Sequence, residues 1–160
     1  MTAGQQQEEE LIVVGVDGSD QSKDALRWAV RQASLTGAAV EAVMAWEWPN
    51  TYGWAPPVEQ DFESLATQVL KDTVDEVVGS ESNVEVRQVV AEGGAARILL
   101  HEAKKADLLV VGSRGHGGFA GTLLGSVSQH CVQHALCPVV ILRGQHPVPE
   151  TPAKPDKQTA

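Results

Sequence analysis

The 160-residue chain carries 21 acidic against 12 basic side chains, a formal net charge of -9, so it lacks the basic face that counterion release from a nucleic-acid backbone requires. Hydrophobic residues make up 42% of it, enough for one domain with its own core, while no apolar stretch approaches the ~20 residues of a membrane span. With no signal-peptide pattern at the start and only Cys131 and Cys137, a soluble cytoplasmic protein with reduced thiols is expected, bound to neither nucleic acid nor membrane.

Residues 1–10, ending QQQEEE, have no apolar pattern and are expected to form a disordered N-terminal tail. Leu11 to Val16 reads as a first strand. Ser19 to Thr36 places Ala25, Ala29 and Ala33 with Leu26 and Val30 on one helical side, and Gly37 ends that helix. Val40 to Trp46 is a second strand. A loop rich in Trp and Pro follows, then a helix near Val58 to Val78 with Leu65, Val69, Val74 and Val77 on its apolar side. Val84 to Ala91 is a third strand, Ala95 to Lys105 a third helix and Leu108 to Gly112 a fourth strand. Ser126 to Leu136 is a fourth helix. Pro138 can begin a strand but not occupy its middle, so Val139 to Arg143 is a fifth. From Gly144 onward, Pro147, Pro149, Pro152 and Pro155 forbid regular structure, and a disordered C-terminal tail is expected over 144–160. The folded domain is then 11–143. Strict alternation of strand and helix implies an α/β fold: a five-stranded parallel sheet with right-handed crossovers and helices on both faces.

The chemistry concentrates in GSRGHGGFAGTLLGS, Gly112 to Ser126, where six of fifteen residues are glycine. Such a run permits φ > 0 and close approach of another group to the main chain. A buried strand precedes it and a helix follows it. Ser126-Val-Ser-Gln129 fits a capping box, with Ser126 as the cap and Gln129 reaching back to it. Strand, glycine loop and helix N-terminus in that order form an anion site, because unpaired amides and the helix dipole point into the loop. Phosphate is the leading ligand class.

Three nucleotide signatures compete for this stretch. A P-loop needs a lysine that is absent between Gly112 and Ser126. The run from Gly115 to Ala120 matches G-x-G-x-x-A, but residues 130–142 contain no acidic residue to bind a ribose. The third pattern, Gly112-x2-Gly115-x9-Gly125-Ser126, matches in full the signature G-x2-G-x9-G-[ST]. With VGVDGS early and ADLLVVGSRG late, the chain resembles the ATP-binding branch of the universal stress protein family over residues 11–143. That resemblance implies an adenine nucleotide alpha-hydrolase-like, Rossmann-like sheet of order 3-2-1-4-5, which brings the ends of the first and fourth strands together. It also implies a homodimer through the C-terminal strand, Val139 to Arg143, an exposed apolar edge suited to pairing.

By the same resemblance, ATP with Mg²⁺ is expected against Gly15, Val16, Asp17 and Ala45 at the ends of the first two strands. Its phosphates are expected on Gly112, Ser113, Arg114, Gly115, His116, Gly117, Gly118, Gly125, Ser126 and Val127. Read from the residues alone, Asp17 either accepts from ribose hydroxyls and helps hold Mg²⁺ or caps the first helix with Ser19. Arg114 either forks onto phosphate or forms a surface ion pair. Ser113 and Ser126 can donate hydroxyls to phosphate, and Ser128 could equally serve where Ser126 is occupied as a cap. His130 and His134, at i and i+4, could bind zinc or be surface features, and no third ligand is evident. Cys131 repeats with Val127 and Ala135 as a core stripe, and Cys137 has no cationic neighbour to activate it. Trp46, Trp48, Tyr52 and Trp54 either stack over a base or pack their own loop. No catalytic triad, activated cysteine or carboxylate pair is evident, so the expected function is a nucleotide-dependent stress-response sensor with at most slow hydrolysis. The alternatives are cyclic AMP in the same crevice and an interaction module without nucleotide.

Overall fold

A computed structural model of the chain describes residues 8–49, 61–80, 82–114 and 124–144. Five strands, β1 (Leu11–Gly15), β2 (Ala39–Trp46), β3 (Val86–Glu92), β4 (Leu108–Gly112) and β5 (Val139–Leu142), alternate with four helices, α1 (Asp20–Thr36), α2 (Phe62–Val78), α3 (Ala95–Ala103) and α4 (Ser126–His134). The strands form one parallel sheet of order β3-β2-β1-β4-β5. That is the order expected from the resemblance. None of the described helices is long and apolar enough to cross a membrane.

Alternation along the strands separates two cores. Ile12, Val14, Val40, Ala42 and Val110 face α1 and α2, where they meet Ala25, Leu26, Ala29, Leu70 and Val74. Leu11, Val13, Val43, Leu109 and Val111 point the other way, onto Ile98, Leu99 and Ala103 of α3 and Cys131 of α4. Strands buried on both faces read as unbroken apolar runs for this reason. The three alanines of α1 let that helix approach the sheet closely, and Gly37 closes it in the left-handed conformation with its amide on Ala33 O.

Several expected details differ. α2 buries Ala66, Leu70, Thr73 and Val74, whereas Leu65 and Val69 are exposed. The true face includes a threonine whose hydroxyl donates back to the Val69 carbonyl at 2.8 Å; once satisfied in this way, Thr73 packs as an apolar residue. The same helix begins at Phe62, where the Asp61 carboxylate accepts from the Ser64 amide. α3 ends at Ala103 because Lys104, Lys105 and Ala106 bond three residues back instead of four. α4 ends at His134; Ala135 is already extended, two residues ahead of the Cys137-Pro138 step that a helix avoids. β3 starts at Val86 and β5 stops at Leu142.

Among the described residues, one acidic side chain sits inside. Glu41, the third residue of β2, is buried below α3, paired with Lys105 at 3.1 Å, and Lys105 also holds Glu102 at 2.8 Å. Its Oε1 has no hydrogen-bond partner among the described residues. Burial pushes the Glu41 carboxyl above its ordinary value of 4.5, helped by the proton it shares with Glu102 and opposed by Lys105. Glu102 is also partly buried, but its hydrogen bonds with Lys105 and Glu41 carry it below its ordinary value.

Glu41 therefore keeps its proton in the folded chain at pH values where the unfolded chain has released it. Its contribution to stability is fully present below about 4.5 and declines as pH rises through the higher folded value. Glu41→Gln, which cannot titrate, should lack that decline. Urea midpoints measured from acid to neutral pH test this, and parallel profiles for variant and wild type would refute it.

Candidate functional site

The carboxyl ends of β1 and β4 lie side by side, in register through Val14 and Val110. The chain leaves β1 as Val16-Asp17-Gly18. Val16 is buried and its amide donates to Val43 O at 2.9 Å, so β1 stays tied to β2 one residue beyond its formal end. Gly18 turns at φ 81, which a side chain would resist. Ser19 then caps α1, its hydroxyl accepting from the Ser22 amide at 3.2 Å.

Asp17 is not itself the cap. Its Oδ1 accepts from both the amide and the hydroxyl of Ser19, which holds the cap in place. Of the two alternatives for Asp17, these contacts bear on the helix start: the carboxylate braces the residue that caps α1.

On the β4 side, the backbone of Ser113 is the junction. Its amide donates to Leu142 O at 2.7 Å, and its carbonyl accepts from the Gly125 amide at 2.7 Å. The buried Ser128 hydroxyl donates to the same carbonyl at 3.0 Å and lies 3.0 Å from Gly125 O. The two ends of the glycine-rich stretch are therefore pinned together, and α4 starts beside the end of β4. This arrangement replaces the expected capping box. Gly125 is the N-cap, with no side-chain cap bond, and Gln129 donates its amide to Gly125 O. A glycine cap leaves Ser126 as the first helical residue, with its exposed hydroxyl outside the cap. The amides of Ser126, Val127 and Ser128 precede that of Gln129, the first to donate within the helix, and form the donor end of α4.

Two expected site glycines have packing reasons of their own. A Cβ on Gly15 would stand 3.0 Å from Leu99 Cδ1, and one on Gly112 would stand 3.1 Å from Gln21 Cβ. Ala45 lies at the end of β2, paired with Ala91 and packed on the α3 and α4 side. Arg114 is half-buried, forms no ion pair among the described residues, and its amide donates to Gln21 Oε1 at 2.7 Å. Gly115, His116, Gly117 and Gly118 lie outside the described residues, as do Tyr52 and Trp54. Trp46 and Trp48 make an edge-to-face pair at 5.6 Å, and Trp48 makes another with Phe62 at 5.4 Å. These two tryptophans thus pack within a small aromatic cluster at the start of α2.

Gln21 is the residue that spacing did not reveal. It belongs to α1, far from the glycine stretch in sequence, and only the general rule that side chains in a first turn lean back past the helix start points toward it. The other candidates are peripheral. His130 and His134 stack at 6.0 Å, with His130 Nδ1 3.1 Å from Ser126 O. No cluster of three or more metal-ligating side chains occurs among the described residues. Burial, with a smaller contribution from Cys137, pushes the Cys131 thiol up to about 11, which leaves it protonated at neutral pH.

Comparison with known proteins bears on this geometry. The model of the "Universal stress protein family" matches residues 10–143. Universal stress protein Rv2623 of Mycobacterium tuberculosis is 38% identical over 138 residues, covering 82% of this chain and 44% of that protein. The chain thus spans less than half the length of this relative. A universal stress protein solved in complex with cAMP is 26% identical at a TM-score of 0.65, covering 84% of this chain and 97% of the other. A family protein from Arabidopsis thaliana with AMP bound is 25% identical at a TM-score of 0.56, covering 91% and 98%.

The Ser113 junction predicts a mutational effect. Ser128→Ala removes a buried donor to Ser113 O and should destabilise the fold by about 0.5–1.5 kcal/mol. A urea midpoint unchanged from wild type would show that the hydroxyl does not hold the junction.

Proposed function

Because the chain belongs to the universal stress protein family, we propose that it binds an adenine nucleotide, ATP with Mg²⁺, across the ends of β1 and β4 and uses it to regulate a stress response. The observation that carries this reading is the pinning of both ends of the glycine stretch at Ser113, which sets the donor end of α4 beside Asp17's strand. Amides at a helix start favour phosphate. The phosphates lie on Gly112, Ser113, Arg114, Gly115, His116, Gly117, Gly118, Gly125, Ser126 and Val127, and the adenosine part lies against Gly15, Val16, Asp17 and Ala45.

Asp17 suits an Mg²⁺ that takes one protein carboxylate and completes its shell with phosphate and water. Support for an adenine ligand comes from the relatives solved with cAMP and AMP. The cAMP complex also favours a second reading, a cyclic nucleotide in the same crevice. Binding is the function in either case. Turnover by phosphoryl transfer needs cations and a group to position water; among the described residues at the strand ends Arg114 supplies a cation and Asp17 a carboxylate for Mg²⁺, and hydrolysis is slow at most. Regulation then rests on two states of the chain with different nucleotide affinity, in the cytoplasm.

Calorimetric titration of nucleotide-free protein with ATP and Mg²⁺ tests the site. Binding that weakens by about tenfold or more, ~1.4 kcal/mol, in Gly115→Leu is expected. No binding by wild type would make the chain an interaction module, and displacement of ATP by a stoichiometric amount of cyclic AMP would favour the second reading.

The homodimer pairs β5 with a second copy. Leu109 and Ser113 donate to Pro138 O and Leu142 O, so the even-numbered residues of β5 face β4 and the odd-numbered ones face outward. Ile141→Pro removes an outward amide and spares the β4 ladder, a change edge strands tolerate. Sedimentation should find wild type dimeric at micromolar concentration and this variant monomeric. A dimer persisting in the variant would place the interface elsewhere.

A further inference from the structure

Gln21 makes more contacts with the neck of the glycine stretch than its place in α1 requires. Its Oε1 accepts from the Arg114 amide at 2.7 Å and from the Ser113 hydroxyl at 3.2 Å. Its side chain fills a slot between two glycines at the exits of β4 and β5. A Cβ on Gly112 would come within 3.1 Å of Gln21 Cβ, and one on Gly144 within 3.1 Å of both Cγ and Nε2. Neither glycine has the positive φ that would call for glycine on conformational grounds. Both leave room for this one side chain.

The amides at the β4 exit can be accounted for in order. That of Ser113 is held by Leu142 O and that of Arg114 by Gln21. Among the described residues, Gln21 is the acceptor of the Arg114 amide. We propose that Gln21 is a positioning residue of the nucleotide site: its side-chain carbonyl holds Ser113 and Arg114 at the exit of β4, beside the donor end of α4 where phosphate binds. This inference rests on the nucleotide reading above and adds a residue outside the glycine signature.

Two variants act on Gln21 in different ways. Gln21→Met keeps the length and fills the slot but removes the acceptor. Gly144→Ala keeps the glutamine and brings a methyl group to 3.1 Å from its Cγ and Nε2, so that the side-chain amide must shift by a few tenths of an ångström from its two donors. The full chain is titrated with ATP and Mg²⁺ and, separately, with adenosine, which lacks phosphate. ATP affinity should fall about tenfold in both variants, the loss expected of one well-aligned hydrogen bond at the neck. Adenosine affinity should change less than about twofold, since the base and ribose do not meet this neck. Gln21→Met binding ATP as tightly as wild type, or more tightly, while Gly115→Leu loses it would overturn the role of Gln21 and leave the site reading intact. Equal losses for ATP and adenosine would reduce Gln21 to a packing residue and overturn the proposal. Wild type failing to bind ATP would remove both readings together.

Discussion

The carbonyl of Ser113 accepts two hydrogen bonds, from the Gly125 amide and from the Ser128 hydroxyl, and the geometry of the site depends on that junction. It joins the end of β4 to the start of α4 across eleven intervening residues. The Ser113 amide is bonded to Leu142, so the same residue also secures β5 against β4. One buried residue thus sets where the helix dipole begins, where the glycine stretch opens and where the sheet ends. The sheet supplies the rigidity behind it, because β4 is central and its residues Leu109 to Val111 are fully enclosed.

The two faces of the sheet divide the work. α1 and α2 cover one side with alanines and long aliphatics. The opposite side contains Glu41, whose charge is relieved only at one end, by a Lys105 that stands half in solvent. Replacing a buried ionisable group by an apolar one is often neutral or stabilising, so packing alone does not account for a glutamate in a central strand. It lies toward the amino ends of the strands, opposite the end where β1 and β4 present Asp17 and Ser113.

The fold was legible in the sequence because each apolar run is short, bounded and followed by a helical stripe; the α1 alanines and Gly37 were enough to place that helix. Strand order was not legible from spacing and came from the family signature. Where sequence reasoning failed, a polar group had been satisfied locally. Thr73 bonded back to its own helix and moved the buried face of α2. Ser128 took the buried hydrogen bonds while Gly125 acted as the cap, so the pattern Ser126 to Gln129 formed no capping box. Of the site, the glycine signature and Asp17 could be read directly, since they are contiguous motifs. Gln21 could not, because its partners are 92 and 93 residues away and a glutamine in a first helical turn carries no distinguishing spacing.

The pinned neck has a thermodynamic consequence for any ligand. Whatever path the chain takes between Ser113 and Gly125, its ends are already 2.7 Å apart, amide to carbonyl, before a nucleotide arrives. Bringing together the ends of a segment of that length forfeits on the order of 2 kcal/mol of chain entropy. Here that loss falls on folding and is shared by the apo and bound forms, so it does not subtract from affinity. Lengthening the segment between the two ends would therefore weaken the fold slightly before it weakened binding, and stability and affinity could vary independently in one loop.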